Sequence, residues 1–156
     1  MKLLQMKFSV KFLSITEEII CFSLIVLFVY ASMSKILDYE NFRVELGQSP
    51  VLSAYAGAAA PSVLIAELLT ALFLAWKPCR KFALLASFIL MAMFTCYIII
   101  ILNFSDYIPC SCGGVLQRLG WRDHIIFNIV FVIISGTGFF IIENKKYKNS
   151  TKTFTV

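Results

Sequence analysis

The sequence predicts an all-α membrane protein, a bundle of four transmembrane helices, and three observations lead to this fold class. First, 60% of its 156 residues are apolar and only 15% are charged, with a mean hydropathy of +0.84. A soluble domain of this size needs more charged surface. Second, the charges form clusters, and the apolar stretches between them are long enough to cross a bilayer. Third, these stretches are continuous rather than alternating, which argues against a β-barrel.

Four spans are predicted, and each has roughly the 17–25 residues that a ~30 Å hydrocarbon core requires of a helix. Together with a polar, lysine-rich tail they form a single membrane domain. The spans cover about 19–37, 57–76, 82–104 and 124–142, and the tail covers 143–156. Helices are the expected form because lipid offers no partner to an unbonded backbone group.

The beginnings of two spans have alternative interpretations. In the first, Val29-Tyr30-Ala31 resembles the small-residue end of a secretory signal peptide. The stretch is long for a signal peptide, however, and Glu17-Glu18 is an unusual acidic interruption before it, so we favour a retained helix. The second span starts at Pro61 or a turn or two earlier, within the small-residue run Ala54–Ala60.

The segment Asp38–Leu52, between the first two spans, is polar enough to lie at the surface. Its Tyr39, Phe42, Val44 and Leu46 predict a short amphipathic piece that rests in the membrane interface.

The basic residues predict the orientation of the bundle. Ten lie on the side that holds both termini and the loop between the second and third spans, against four on the other side. Cytoplasmic loops carry the excess of Lys and Arg, so both termini are expected in the cytoplasm of a bacterial inner membrane. The net charge is +5, but the basic residues do not form a face interleaved with aromatic side chains, which argues against nucleic-acid binding.

Two of the five cysteines lie close together, in Pro109-Cys110-Ser111-Cys112-Gly113-Gly114 of the second outward loop. Disulfides form and persist on that side. A bond between thiols one residue apart closes a cramped ring, and strain makes a disulfide easier to reduce. We therefore favour a redox-active pair, with an inert disulfide and a metal site as alternatives.

A metal site would combine the pair with His124, the only histidine. Two thiolates and an imidazole suit copper(I) or zinc. The spacing matches no standard zinc signature and offers no obvious fourth ligand, so no metal is expected. Cys21 and Cys96 are expected to pack as small apolar side chains within their helices, and Cys79 to be a free thiol in the basic loop.

Ionisable residues within the spans point to a second feature. Glu67 lies in the second span, where a carboxylate must be paired, protonated or hydrated. Lys35 is its expected partner, with Arg122 and His124 as other candidates. His124 and Asn128 are four residues apart on one helix face, which Ser135 continues. A helix–helix hydrogen bond or ion pair explains these residues structurally; a proton- or quinone-binding cluster beside the cysteine pair explains them functionally.

The elements that carry these residues resemble a known family. They are Ala31-Ser32-Met33-Ser34-Lys35-Ile36-Leu37, Pro61-Ser62-Val63-Leu64-Ile65-Ala66-Glu67, the Pro109–Gly114 loop and His124-Ile125-Ile126-Phe127-Asn128. In this order they resemble the methylamine-utilisation MauE family, within the DoxX-like four-helix membrane proteins. The resemblance covers nearly all of residues 17–142.

This resemblance implies a protein of the cytoplasmic membrane that supports disulfide formation or electron delivery during maturation of a periplasmic dehydrogenase, beside a thioredoxin-like partner. Nothing in the residues indicates methylamine chemistry itself. The chain also has no second closely spaced cysteine pair, which a self-contained quinone-linked thiol oxidase needs.

We therefore expect a membrane thiol-redox protein in which Cys110, Cys112, His124 and Glu67 carry the chemistry, while Lys35 and Asn128 belong to the proton or quinone cluster. Whether it is itself a thiol–disulfide oxidoreductase stays open at this point. The main alternative is a non-catalytic helical subunit or assembly factor of a larger membrane complex. A third is transport, with Glu67 as a proton or cation site in an oligomer.

Overall fold

The computed structural model describes residues 2–48, 53–104 and 121–153, and the regular structure in these ranges is entirely helical. Five helices follow one another along the chain. They are α1 (Lys2–Leu37), α2 (Tyr39–Gln48), α3 (Ala56–Ala75), α4 (Arg80–Phe104) and α5 (Trp121–Thr153). Short 3-10 turns at Ser53–Tyr55 and Lys77–Cys79 precede α3 and α4.

Four of these helices are long and apolar enough to cross a membrane, which confirms the predicted fold class. Their large apolar side chains also cover the outside of the bundle; Phe22, Phe82 and Phe140 are 68%, 75% and 67% exposed. Such a surface is suited to lipid rather than to water. The four apolar segments are Phe12–Leu37, Ala56–Ala75, Lys77–Asn103 and Arg122–Lys145.

Two helices extend beyond the predicted spans. The first helix begins at Lys2 rather than near residue 19, and α5 continues to Thr153, through most of the segment predicted as a polar tail. Hydropathy locates the part of a helix that lies in lipid, but Lys, Glu and Leu favour the helix in water as well. The helices therefore extend beyond their apolar segments.

The four long helices close into a ring. The first helix packs between α3 and α5, and α4 packs between the same two neighbours on the other side. Their core contains Leu24, Phe28, Leu74 and Leu84, all at most 1% exposed. We call the end of the ring where the Lys77–Cys79 turn joins α3 to α4 the basic end, and the opposite end the α2 end.

The short helix α2 packs against the beginning of α3. Phe42 and Leu46 are buried there with Ala56 and Ala60, whose small side chains let the two helices approach closely. Val44, by contrast, is 53% exposed. The predicted amphipathic segment is thus a helix whose apolar face covers one end of the bundle.

Candidate functional site

A buried ion pair joins α1 to α3 near the α2 end. The Lys35 Nζ lies 2.5 Å from the Glu67 Oε1, and the two side chains are only 7% and 1% exposed. The Ser32 hydroxyl donates a hydrogen bond of 2.9 Å to the Glu67 Oε2, so both carboxylate oxygens have a donor. Ser32 and Lys35 reach the same carboxylate because residues three apart share a helix face. Lys35 is thus the partner that the sequence predicted.

Aromatic side chains surround this lysine. Its ammonium lies 5.8 Å from the ring centroid of Phe42 on α2 and 5.4 Å from that of Phe94 on α4. A cation over an aromatic face is attracted by the ring quadrupole, most strongly where water is excluded. The ammonium is therefore held by α1, α2, α3 and α4 together.

Glu67 lies well inside its helix. The helix α3 begins at Ala56, eleven residues before Glu67 and within the run Ala54–Ala60 that the sequence offered as the start of the span. The three turns in between pack against α2. The carboxylate is consequently in the middle of α3, although it meets the last turns of α1.

His124 and Asn128 supply the polar face of α5 at this end. They are 3% and 5% exposed, and Ser135, further along the same face, is fully buried. This confirms that the predicted polar stripe points into the bundle. His124 and Asn128 line the same cavity as Lys35 and Glu67, so the structure brings together the four ionisable or polar residues that were predicted to converge.

The cavity has a volume of about 500 Å³ and lies among α1, α2, α3, α4 and α5 at the α2 end. This volume is in the range of small-molecule sites, roughly 300–1,000 Å³. The side chains that line it are mostly apolar, and five of these side chains are aromatic: Phe28, Phe42, Phe94, Tyr97 and Phe127. A few polar groups converge within an apolar chamber, which is the usual composition of a ligand site.

The predicted cysteine pair, Cys110 and Cys112, lies outside the described residues. The chain enters that segment from Phe104 at the end of α4 and leaves it into Trp121 at the start of α5. His124 follows three residues after Trp121.

The other three cysteines are free thiols. Cys21 is 1% exposed within the core, as expected of a small apolar side chain. Cys79 is half-buried in the turn of the basic end. Cys96 differs from its prediction, because it is exposed on α4 and forms part of the cavity lining.

A second ionic cluster ties the helices together at the basic end. The Arg80 guanidinium donates two hydrogen bonds, of 2.8 and 2.9 Å, to the Glu18 carboxylate, and its Nε donates to the Leu74 carbonyl oxygen at 3.1 Å. Glu17 lies 3.6 Å from Arg80 and accepts a 2.6 Å hydrogen bond from Lys145. Through these contacts α4 is bonded to α1 and α3, and α5 to α1.

Sequence reasoning missed several of these residues. The role of Ser32 was not predicted, although its position three residues before Lys35 was the available signal. The pairing of Glu17 and Glu18 with Arg80 was not predicted either; the signal was their position at the start of an apolar helix, opposite a basic loop. Nothing in the sequence marks Cys96 or Phe94 as part of a cavity.

The described residues contain no group of three or more His, Cys, Asp or Glu side chains arranged to hold a metal ion.

On α2, outside the spans, burial raises the pKa of Glu45, and the negative charge of Asp38 raises it further.

Comparison with known proteins supplies one match. No curated protein and no solved structure matches the chain significantly. The family model described as methylamine utilisation protein MauE matches residues 13–141, from the beginning of the apolar part of α1 to near the end of the apolar part of α5. This match covers nearly all of the four spans and includes Lys35, Glu67, Cys110, Cys112, His124 and Asn128. The chain therefore belongs to the MauE family and is a multi-pass membrane protein of four transmembrane helices.

Proposed function

We propose that this protein is a thiol-redox component of the bacterial cytoplasmic membrane, with both termini in the cytoplasm. In this proposal the Cys110–Cys112 pair exchanges disulfides or electrons with a periplasmic thioredoxin-like protein during protein maturation. The supporting observation is the buried cluster of Lys35, Glu67, His124 and Asn128 around a cavity at the end of the bundle where α4 and α5 flank the cysteine-bearing segment.

The proposed chemistry is thiol–disulfide exchange. A thiolate of the partner attacks the Cys110–Cys112 disulfide and forms a mixed disulfide, and the partner's second thiolate then releases the pair as a dithiol, so the partner leaves with a new disulfide. Reoxidation of the reduced pair by a separate acceptor then releases two electrons and two protons. A cation such as His124 or Arg122 near the pair would stabilise the thiolate that leaves in the exchange and that reacts during reoxidation.

The buried cluster would take up the protons released when the reduced pair is reoxidised. A hydrogen-bonded carboxylate, an ammonium and an imidazole, shielded from water, can pass or hold protons that the pair releases. A quinone head group bound by Lys35 and Asn128 would supply the two-electron acceptor for that reoxidation.

The redox state of the pair tests this proposal. Cells are quenched in acid and their free thiols alkylated with a maleimide reagent that changes gel mobility. We expect the pair to be oxidised in untreated cells and reduced by brief dithiothreitol treatment. We also expect the Cys110→Ser or the Cys112→Ser variant to trap a mixed disulfide with a partner, visible on a non-reducing gel.

The Cys79→Ser variant is the matched control, because it removes a thiol from the basic end and should change neither the redox state nor the trapped complex. If the pair never changes state and the double Cys110→Ser/Cys112→Ser variant keeps full activity in cells, the redox proposal is wrong. A stoichiometric partner that co-purifies independently of both cysteines would instead support the non-catalytic subunit.

The orientation is tested separately with a membrane-impermeant thiol reagent. Variants that keep a single cysteine, at position 112 or at position 79, are labelled in intact cells and in inverted vesicles. Cys112 should react in the intact cells and Cys79 only in the vesicles. The opposite pattern would place the pair in the reducing compartment and remove the basis of the proposal.

A further inference from the structure

The cavity at the α2 end reaches the outer, lipid-facing surface of the bundle. Met93, Cys96 and Ile100 form part of its lining, and they are also exposed on the outside of α4, where Met93 is 62% and Ile100 39% exposed. They recur at intervals of three and four residues and thus form one stripe of the helix. Since α4 is an apolar spanning helix, a ligand that enters past this stripe comes from the lipid.

The polar end of the cavity defines the charge of that ligand. The positive charge of Lys35 is balanced by Glu67, so a charged head group would add an uncompensated charge in a site withdrawn from water. A neutral head group has no such cost.

The same end defines its hydrogen bonding. Both carboxylate oxygens of Glu67 already accept a hydrogen bond. The Lys35 ammonium has three N–H donors and gives one of them to Glu67, so it can also donate to a ligand. The Asn128 amide adds further donors. The site therefore suits a neutral acceptor, such as a carbonyl oxygen.

The walls define its shape. Phe28, Phe42, Phe94 and Phe127 line the cavity, and aromatic side chains pack well against a planar ring in stacked or edge-to-face arrangements. A volume of about 500 Å³ accommodates one such ring with the beginning of a chain.

From these features we infer that the cavity binds the ring of a lipid-soluble quinone, with one carbonyl oxygen accepting a hydrogen bond from Lys35 and the isoprenoid chain leaving between Met93 and Ile100. The choice of a quinone among planar carbonyl lipids rests on the proposed function. Reduction of a quinone to a quinol takes up two electrons and two protons, which equals what the oxidation of Cys110 and Cys112 to a disulfide releases. The position of the ring and its exit path go beyond that function.

Binding is tested with decylubiquinone and the full-length protein in lipid nanodiscs. A ligand that binds only the folded state raises the apparent unfolding temperature in a saturable, concentration-dependent way. We expect this rise with decylubiquinone. An alkylbenzene with the same chain length has no carbonyl groups and should give no saturable rise.

Two tryptophan substitutions test the entry path. Met93→Trp fills the mouth of the cavity and should weaken binding by about tenfold or more, since excluding the chain removes much of its apolar contact. Ile133→Trp is the matched control, because Ile133 is also 62% exposed but lies on α5 away from the cavity lining. It should change binding by less than about twofold.

A third variant tests the head-group contact without leaving a buried charge. Lys35→Met combined with Glu67→Gln removes the donor and keeps the site neutral; it should fold and should weaken binding by about tenfold, the usual effect of losing a charge-assisted hydrogen bond. Three results would each overturn the inference. The wild type could show no saturable binding of decylubiquinone, it could bind the alkylbenzene equally well, or the Met93→Trp and Ile133→Trp variants could lose binding equally.

The Cys110→Ser/Cys112→Ser variant separates this inference from the proposed function. It should bind decylubiquinone as the wild type does, because neither cysteine is part of the inferred contact. Saturable binding with a cysteine pair that never changes redox state would contradict the function and support the site. A pair that changes state in a protein without saturable binding would contradict the site and leave the function standing.

Discussion

Lys35 and Glu67 hold the last turns of α1 against the middle of α3 through an ion pair almost completely withdrawn from solvent. Each member depends on the other, because a lone charge at this site would have neither water nor a counter-ion. The pair therefore makes a testable contribution to stability as well as to any chemistry.

We expect the single variants Lys35→Met and Glu67→Met each to lose about 3–5 kcal/mol of stability, the usual cost of leaving one buried charge uncompensated. The double variant should lose distinctly less than the sum of the two. Unfolding in mild detergent, followed by circular dichroism, gives all three values.

Glu40→Gln is the control for this cycle, because it removes a carboxylate from the exposed face of α2. It should change stability by less than about 0.5 kcal/mol. Additive losses in the Lys35 and Glu67 variants would mean that the two charges do not stabilise each other.

A second prediction concerns the close contact of α5 with its neighbours at Gly138. A Cβ atom at this position would lie 3.0 Å from the Ile20 Cγ2 and 3.0 Å from the Leu84 Cδ2, both in the core. Gly138→Ala should therefore cost about 1–3 kcal/mol through overpacking. The same unfolding measurement applies.

Gly136→Ala provides the comparison within the same helix. A Cβ there would lie 3.6 Å from the nearest atom, a ring carbon of Phe88, which is an ordinary contact. Alanine should be neutral or stabilising by up to about 1 kcal/mol because it favours the helix. If both variants behave alike, the close packing at Gly138 is not a determinant of stability.

A third prediction concerns Arg80 at the basic end. Arg80→Met removes both hydrogen bonds to Glu18 and the one to the Leu74 carbonyl, and should cost about 1.5–3 kcal/mol. Arg80→Lys should recover only part of this loss, since lysine cannot form the two-pronged contact. Lys77, whose side chain is 78% exposed and 3.8 Å from Glu18, is the control. Lys77→Met should cost under about 1 kcal/mol, and an equal cost would contradict the importance of the buried guanidinium.

A fourth prediction concerns pH and Glu45. Burial raises the pKa of Glu45 above 4.5, its ordinary value, so the ionised form is less favourable in the folded state. Its charge therefore destabilises the fold at a pH above the folded-state pKa and has no effect below the ordinary value. Glu45→Gln should stabilise the protein slightly at pH 7, by less than about 0.5 kcal/mol because solvent screens the group. This gain should disappear below pH 4.5 in unfolding curves taken across that range; a gain independent of pH would contradict the explanation.

The sequence predicted the bundle well because lipid restricts the choice of structure. Four apolar stretches had to be helices, and a carboxylate as isolated as Glu67 had to find a cation, of which Lys35 was the nearest in the predicted topology. The polar face of His124 and Asn128 followed from helical spacing alone.

The remaining features depend on how helices cross and tilt, which spacing does not encode. Cys96 was expected to pack as a small apolar side chain, yet it is exposed and lines a cavity to which five helices contribute. Phe94 lies beside Lys35 because α4 packs next to α3 in the ring, which the sequence alone does not reveal.

The two ionic clusters also bear on the membrane in which this protein is stable. Glu17 and Lys35 lie on the same helix, eighteen residues apart, and each takes part in one of them. At 1.5 Å per residue this separation is about 27 Å, close to the hydrophobic thickness of a bilayer. A thinner membrane would draw apolar side chains into the head groups, and a thicker one would pull the ionic layers into the acyl chains. The acyl-chain length of the host lipid thus becomes a variable to control whenever the protein is reconstituted.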